Sequence, residues 1–390
     1  MFKVHHKSTR SKARIGTIQT SHGEVQTPTF VPCATKGTLK GILPEQIPQM
    51  NVQLMFVNTY HLVTHPGSNI IEQAGGIHTY SKLPTPLMSD SGGFQVFSLG
   101  KTERRVSKLR GDTNEEPLLV KISEDGVKFR SVHDGALIEF TPESSIRFQQ
   151  EIGADLMMAF DECTYLNATH EYTEKSMNRT HDWLLRCITA VSGQKSAIRN
   201  KLKTDSRKLT TQYLYGIIQG GQFEDLRKES AKFITKQDVD GVAIGGVSVG
   251  ETKDEMRKQV EWCSEFLPDD KPVHLLGIGQ LDDIRDLVKH GIDTFDCVEP
   301  TRIARIGRVY QWNTHKTNEI DIHRAIYKNS FEKIDQSCDC WSCVNFTKSY
   351  LHHLFKQREL LGYAIATFHN VYTVERYVSH LREQIALNKI

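Results

Sequence analysis

Tyr213-Leu214-Tyr215-Gly216-Ile217-Ile218-Gln219-Gly220-Gly221 passes from an apolar, β-rich run directly into polar and glycine residues, and a helical pattern over 223–234 follows. A short apolar run that ends in glycine reads as a strand buried on both faces. Strand, loop and helix in that order form the repeating unit of a parallel α/β sheet. Working outward, the unit recurs. Upstream lie Thr29-Phe30-Val31-Pro32, Gln53-Leu54-Met55-Phe56-Val57 before Asn58-Thr59-Tyr60-His61, Leu87-Met88 before Ser89-Asp90, and 154–160 before Asp161-Glu162-Cys163. Downstream lie 239–244 before Gly245-Gly246, Val273-His274-Leu275-Leu276 before Gly277, and 292–295 before Asp296-Cys297. Helical patterns over 143–152, 173–191, 253–266 and 281–290 fall between them. Eight such units over about 300 residues predict a (β/α)8 TIM barrel. A doubly wound open sheet is the alternative, because periodicity does not report closure. In a barrel the polar residues that end the strands, Asp90, Asp161, Gln219, Gly246 and Asp296, converge on one mouth.

The 390 residues, 38% hydrophobic and 25% charged, are enough for a barrel and an addition to it. No apolar run approaches the roughly 18 residues that span a bilayer, and Lys3, Lys7, Arg10, Lys12 and Arg14 precede no apolar segment. The expectation is a cytoplasmic protein with no membrane contact. Of eight cysteines, Cys33, Cys163, Cys187, Cys263 and Cys297 are scattered singly, as reduced thiols are. A net charge of +2 does not announce a nucleic-acid binder, so any such contact must come from local basic patches. One is a basic stretch over 193–212, with Lys195, Arg199, Lys201, Lys203, Arg207 and Lys208, which reads as a surface insertion. The strand and helix alternation stops near 310, which predicts a barrel over 1–310 and an appended subdomain over 311–390.

Cys338-Asp339-Cys340-Trp341-Ser342-Cys343 places three thiols in six residues, a spacing suited to a compact thiolate knuckle on a tetrahedral metal, with zinc the natural occupant. His352, His353 and His369 are all candidates for the fourth ligand, and the spacing does not choose among them. Four protein ligands leave no open position, so the site reads as structural.

The string Ser89-Asp90-Ser91-Gly92-Gly93-Phe94-Gln95-Val96-Phe97 sets an acid, paired glycines, an aromatic and an amide directly after a strand. Glycines there let a flat ligand approach the backbone, and Phe94 offers a face for stacking a planar base. Asp90, Asp161 and Asp296 occupy matching strand ends in unlike surroundings. Paired carboxylates suit double displacement at a sugar's anomeric carbon, one attacking while another manages the proton.

Asn58-Thr59-Tyr60-His61-Leu62, Asp90 to Leu99, Phe160-Asp161-Glu162-Cys163, Gln219-Gly220-Gly221, Phe295-Asp296-Cys297-Val298 and the cysteine knuckle together resemble the tRNA-guanine transglycosylases, bacterial type, over nearly the whole chain. The resemblance implies a (β/α)8 barrel with a zinc subdomain near its end. It also implies exchange of guanine at the wobble position of a G-U-N anticodon, in Asp, Asn, His and Tyr tRNAs, for a 7-deazaguanine base. It makes Asp296 the nucleophile and Asp90 the general acid/base. Phe94, Gln95, Asp161, Cys163, Gln219, Gly245, Gly246, Val247, Val249 and Leu276 would form the base pocket. Arg302 and Arg305 would hold flanking nucleotides, and His369 would complete a zinc site with Cys338, Cys340 and Cys343. A homodimer is the family's usual state.

Departures from the family pattern bear on the base and the tRNA grip. Val247-Ser248-Val249-Gly250-Glu251 stands where bacterial members carry Leu-Ala-Val-Gly-Glu, and Val249 favours a small aminomethyl substituent over the cyclopentenediol of queuine. Glu299 replaces an apolar residue, Ile303 and Ile306 replace asparagines, and Leu276 replaces a frequent Met. Two rival functions remain in view. A non-catalytic tRNA-binding partner subunit would have no need of Asp90 and Asp296. A metal-dependent barrel hydrolase would require a His-x-His at the first strand's end, and none is present.

Overall fold

The computed structural model describes residues 1–93, 119–131, 135–201, 211–313 and 318–390. Phe94, Gln95 and residues 202–210 of the basic stretch lie outside the described residues. The strands, in chain order, are β1 Phe2–Lys7, β2 Arg14–Thr20, β3 Gly23–Thr27, β4 Thr29–Pro32, β5 Met55–Val57, β6 Leu87–Ser89, β7 Leu119–Ile122, β8 Val127–Arg130, β9 Leu137–Phe140, β10 Leu156–Met158, β11 Tyr213–Ile218, β12 Gly241–Ile244, β13 Val273–Leu275, β14 Thr294–Cys297, β15 Arg308–Tyr310 and β16 Glu319–Asp321.

Eight of them form one parallel sheet in the order β4-β14-β13-β12-β11-β10-β6-β5. A parallel bridge between Cys33 and Phe56 joins its two ends, with Ala34 N donating to Phe56 O at 2.7 Å. That closure decides for the barrel and against the open sheet. The eight strands are those read from the sequence. Their side chains alternate as a barrel requires. Val31, Met158, Tyr215, Ile217 and Ala243 fill the interior, whereas Phe30, Met157, Leu214, Ile218, Val242 and Ile244 face the helical layer.

The antiparallel sheet β1-β2-β3 was not expected from the sequence, although Arg14–Thr20 alternates and Ser21-His22-Gly23 is a turn signal. It sends Ile18 and Val25 into the interior cluster and so plugs the end of the barrel opposite the strand C-termini. The buried Arg14 fastens it, with Nε and a terminal nitrogen on the two Asp293 oxygens at 3.0 and 2.6 Å, and further bonds to the carbonyls of Pro268, Asp269 and Lys271. A second sheet, β7-β8-β9, packs Val127, Phe129 and Phe140 into the outer core and was also missed.

Helices start where chemistry says they should. Thr141 caps Pro142–Ile152 and Thr252 caps Lys253–Ser264, and in the latter Glu255 reaches back to the Thr252 N–H at 2.8 Å. The helix begun at His170 continues to Lys201, past the 173–191 pattern. The last helix, Leu360–Ala386, is buried along much of its length and takes polar His369, Asn370 and Glu375 into the interior with its apolar residues. Its first half packs with the cysteine knuckle and the 34–87 region, and its second half packs on the barrel's outer core. Among the described residues no helix is long and apolar enough to cross a membrane.

Candidate active site

The C-terminal ends of the strands surround a cavity of about 720 Å³, large enough for a purine with its ribose. Asp90, Asp161, Gln219, Gly246 and Asp296 all line it, as do Cys163, Gly245, Val247, Val249, Leu276 and Arg302. Arg305 lies off this wall, its guanidinium on the Thr301 carbonyl at 2.8 Å.

Each carboxylate is held differently. Asp90, just past β6, accepts from Thr59 N at 2.6 Å and from the Asn58 amide, while its own carbonyl takes the Thr59 hydroxyl at 2.5 Å. Asn58 also caps the helix Thr59–Thr64, so one asparagine ties the loop after β5 to the acid after β6. Asp296 lies within β14. Its Oδ1 accepts from Gly277 N at 3.0 Å and His274 Nε2 at 3.2 Å, and among the described residues its Oδ2 has only the Cys33 thiol, 3.6 Å away. Asp161 accepts from Ser91 Oγ at 2.9 Å and Gln219 Nε2 at 2.8 Å. Burial outweighs those bonds and raises its pKa to about 6. Its neighbour Glu162 turns away to pair with the buried Arg179 and to accept from Tyr172 Oη at 2.6 Å.

Gly93 must be glycine, because a Cβ there would stand 2.2 Å from the Asp161 carbonyl oxygen. Gly246, at φ +64°, lies against the Gln219 amide, where a Cβ would come within 2.4 Å of Oε1. That Oε1 is buried with no hydrogen-bond partner among the described residues. The fully buried Arg227 builds this wall from behind, bonding the carbonyls of Gly221, Gly245 and Gly246 at 2.6 to 2.8 Å and Gln259 Oε1 at 2.9 Å. The sequence reading missed Arg227, His274 and the Asn58 contact. An arginine beside Leu226, Ser230 and Ala231 on an apolar helix face was the one available signal. Burial raises the Cys163 and Cys297 thiols to about 12, so neither supplies a thiolate near neutral pH.

Away from the cavity, the ligand atoms of Cys338, Cys340, Cys343 and His369 lie within 4.8 Å of one another, all buried. His369 Nε2 faces the Tyr310 carbonyl at 2.8 Å, so its proton is held there and Nδ1, 3.2 Å from Cys343 Sγ, offers its lone pair to the cluster. Three thiols and an oriented imidazole fit a tetrahedral metal. Of the rival histidines, His352 is engaged with the Ile322 carbonyl.

A closed parallel barrel with carboxylates at the strand C-termini and a Cys3His cluster beside it defines a barrel enzyme carrying a knuckle whose four ligands could hold a metal ion. Residues 8–390 match the family model for queuine tRNA-ribosyltransferase. The chain is 42% identical over 374 residues to the queuine tRNA-ribosyltransferase of Herpetosiphon aurantiacus, covering 96% of this chain and 86% of that protein. Its identity to the protein of that name from Natranaerobius thermophilus is 39% over 385 residues, covering 99% and 94%. For the one from Protochlamydia amoebophila it is 41% over 386 residues, covering 98% and 95%. The chain belongs to the queuine tRNA-ribosyltransferase family and is a pentosyltransferase.

Proposed function

We propose that this chain exchanges guanine at the wobble position of G-U-N anticodons for 7-aminomethyl-7-deazaguanine. The observation that carries the reading is the meeting of Asp90 and Asp296 in one cavity, with one Asp296 oxygen tied by two N–H donors and the other left to react. Asp296 Oδ2 bonds to the ribose C1′ as the C1′–N9 bond breaks, the electron pair leaves with guanine, and Asp90 delivers a proton to the departing base. The deazaguanine then returns a proton to Asp90, attacks C1′ and releases Asp296 with configuration retained. The nucleotide must be splayed out of its stack, which an anticodon loop permits at modest cost.

Asp161 reads the guanine N1–H and amino group, while Gln219 and the Gly246 N–H face O6. Asp161 must be ionised to accept both donors. Guanine affinity is therefore expected to hold above pH 7 and to weaken about tenfold per unit below about 6, the value to which burial raises this carboxyl. Calorimetric titration from pH 8 to 5 checks it, and a flat profile would remove Asp161 as the acceptor. The stability sign is opposite. A raised carboxyl pKa means the buried charge costs the fold about 3 kcal/mol above pH 6. Asp161→Asn should accordingly melt no lower than the native chain at pH 7.5 while losing guanine.

The Cys3His cluster suits zinc, which would organise 311–390 and supply no reaction chemistry. Arg302 at the cavity rim and Arg305 behind it would grip nucleotides beside the splayed one. Exposed Ile326, Phe331, Val344 and Leu360, all in the region after 310, support a homodimer through this side of the molecule. A cytoplasmic location accords with an enzyme that meets tRNA. Labelled guanine should enter unmodified G-U-N tRNA and be chased out by the deazaguanine. Displacement by queuine in preference to the aminomethyl base would correct the choice of base, and tRNA binding without label entry would favour a partner subunit.

A further inference from the structure

The cavity rests on a histidine that the mechanism above does not use. His274, on β13, is fully buried and lies beneath the cavity rather than in its wall. Pairing of β13 with β14 sets it opposite Thr294. Its Nδ1 is 2.8 Å from Thr294 Oγ1 and its Nε2 is 3.2 Å from Asp296 Oδ1, with the ring stacked near Phe56 at 5.9 Å between centroids. Thr294 and Asp296 are two residues apart on one strand, so both point at the same imidazole.

The network assigns the tautomer. Carboxylate Oδ1 can only accept, so the proton lies on Nε2, and Nδ1 then accepts from the Thr294 hydroxyl. The opposite tautomer would set two lone pairs against each other in a site closed to water. Gly277 N and His274 Nε2 together hold Oδ1, whereas Oδ2 has only the weak thiol contact of Cys33 among the described residues, and Asp296 lines the cavity.

We infer that His274 is a positioning residue: with Thr294 behind it and the Gly277 N–H beside it, it fixes the Asp296 carboxylate so that Oδ2 is the attacking oxygen. This rests on the transglycosylase reading. A group held in attack geometry before substrate arrives reacts without first losing rotational freedom, and a bond to a charged group is the strong kind.

The test separates bond formation from tRNA binding. The rate at which the chain forms a denaturation-resistant adduct with tRNA, the tRNA Kd and the melting temperature are measured for the native chain, His274→Phe, His274→Gln and Thr294→Val. His274→Phe is expected to slow adduct formation about 10- to 100-fold, the weight of one hydrogen bond to a charged group, with tRNA Kd within about threefold of native. His274→Gln should recover most of the rate, because its amide N–H reaches the same oxygen. Native speed in the Phe variant, or a Gln variant as slow as Phe, overturns the assignment. If the Phe variant does not fold, Thr294→Val decides, because it keeps the ring and removes the hydroxyl that bonds Nδ1 and holds the ring's orientation toward Asp296. An unchanged rate there also overturns it. A native chain that forms no adduct fails at the first measurement, which identifies the transglycosylase reading itself as the error.

Discussion

Asp296→Asn is expected to bind tRNA as the native chain does and to lose guanine exchange by about 10⁴-fold or more, the scale on which removal of a covalent nucleophile acts. Asparagine has the same size, and its carbonyl oxygen can still accept from Gly277 N and His274 Nε2, so the β13 and β14 ends keep their geometry. What changes is the atom at the Oδ2 position, where a neutral amide replaces the anionic oxygen. The other groups that could stand in are held otherwise: burial keeps the Cys163 and Cys297 thiols protonated, Asp161 is bonded by Ser91 and Gln219, and Asp90 is tied to Thr59 N and the Asn58 amide. The readout is labelled guanine entering tRNA, with a denaturing gel for the covalent adduct. An adduct that survives Asp296→Asn but not Asp90→Asn would exchange the two roles.

The second large effect concerns the knuckle. Cys343→Ser and His369→Ala are each expected to lower bound zinc from one equivalent to near zero and the melting temperature by roughly 10 °C or more, since structural zinc binding is worth on the order of 10 kcal/mol or above. The damage should not stay local. Asn370, next to His369, accepts from Tyr310 N at 2.9 Å and donates to the carbonyls of Pro300 and Arg308 at 3.1 and 3.0 Å. Pro300 belongs to the helix Glu299–Ala304 that carries Arg302. Releasing His369 therefore loosens the rim residue proposed to hold tRNA, and tRNA Kd should rise in the variants that still fold. Elemental analysis and thermal melts check the first part. Full zinc retention in both variants would mean that the four ligands are not the binding site.

How much of this was legible depends on the range of the interaction. The barrel strands were readable because each is a short apolar run that ends in a polar or glycine residue, a signal contained within ten residues. The convergence of Asp90, Asp161, Gln219 and Asp296 followed once those runs were taken as parallel, because parallel strands end at the same side. The β1-β2-β3 plug was not found, although Arg14–Thr20 alternates, because five basic residues in the first fourteen drew the reading toward solvent. Thiol spacing located the knuckle, yet His352, His353 and His369 were indistinguishable by spacing. A residue 26 positions beyond Cys343 reaches it only because the helix Leu360–Ala386 folds back along the barrel.

The amino-acid sequence by itself determined the class of fold, the acids and the glycines of the mouth, since strand periodicity and loop chemistry are local properties of the chain. Tertiary structure alone decided whether the sheet closes, through one bridge between Cys33 and Phe56, and which oxygen of Asp296 is tied by N–H donors and which meets only the Cys33 thiol among the described residues. Both depend on contacts that form only once the strands have assembled around a shared core. A contact between Cys33 and Asp296, 263 residues apart, leaves no trace in the order of residues around either one.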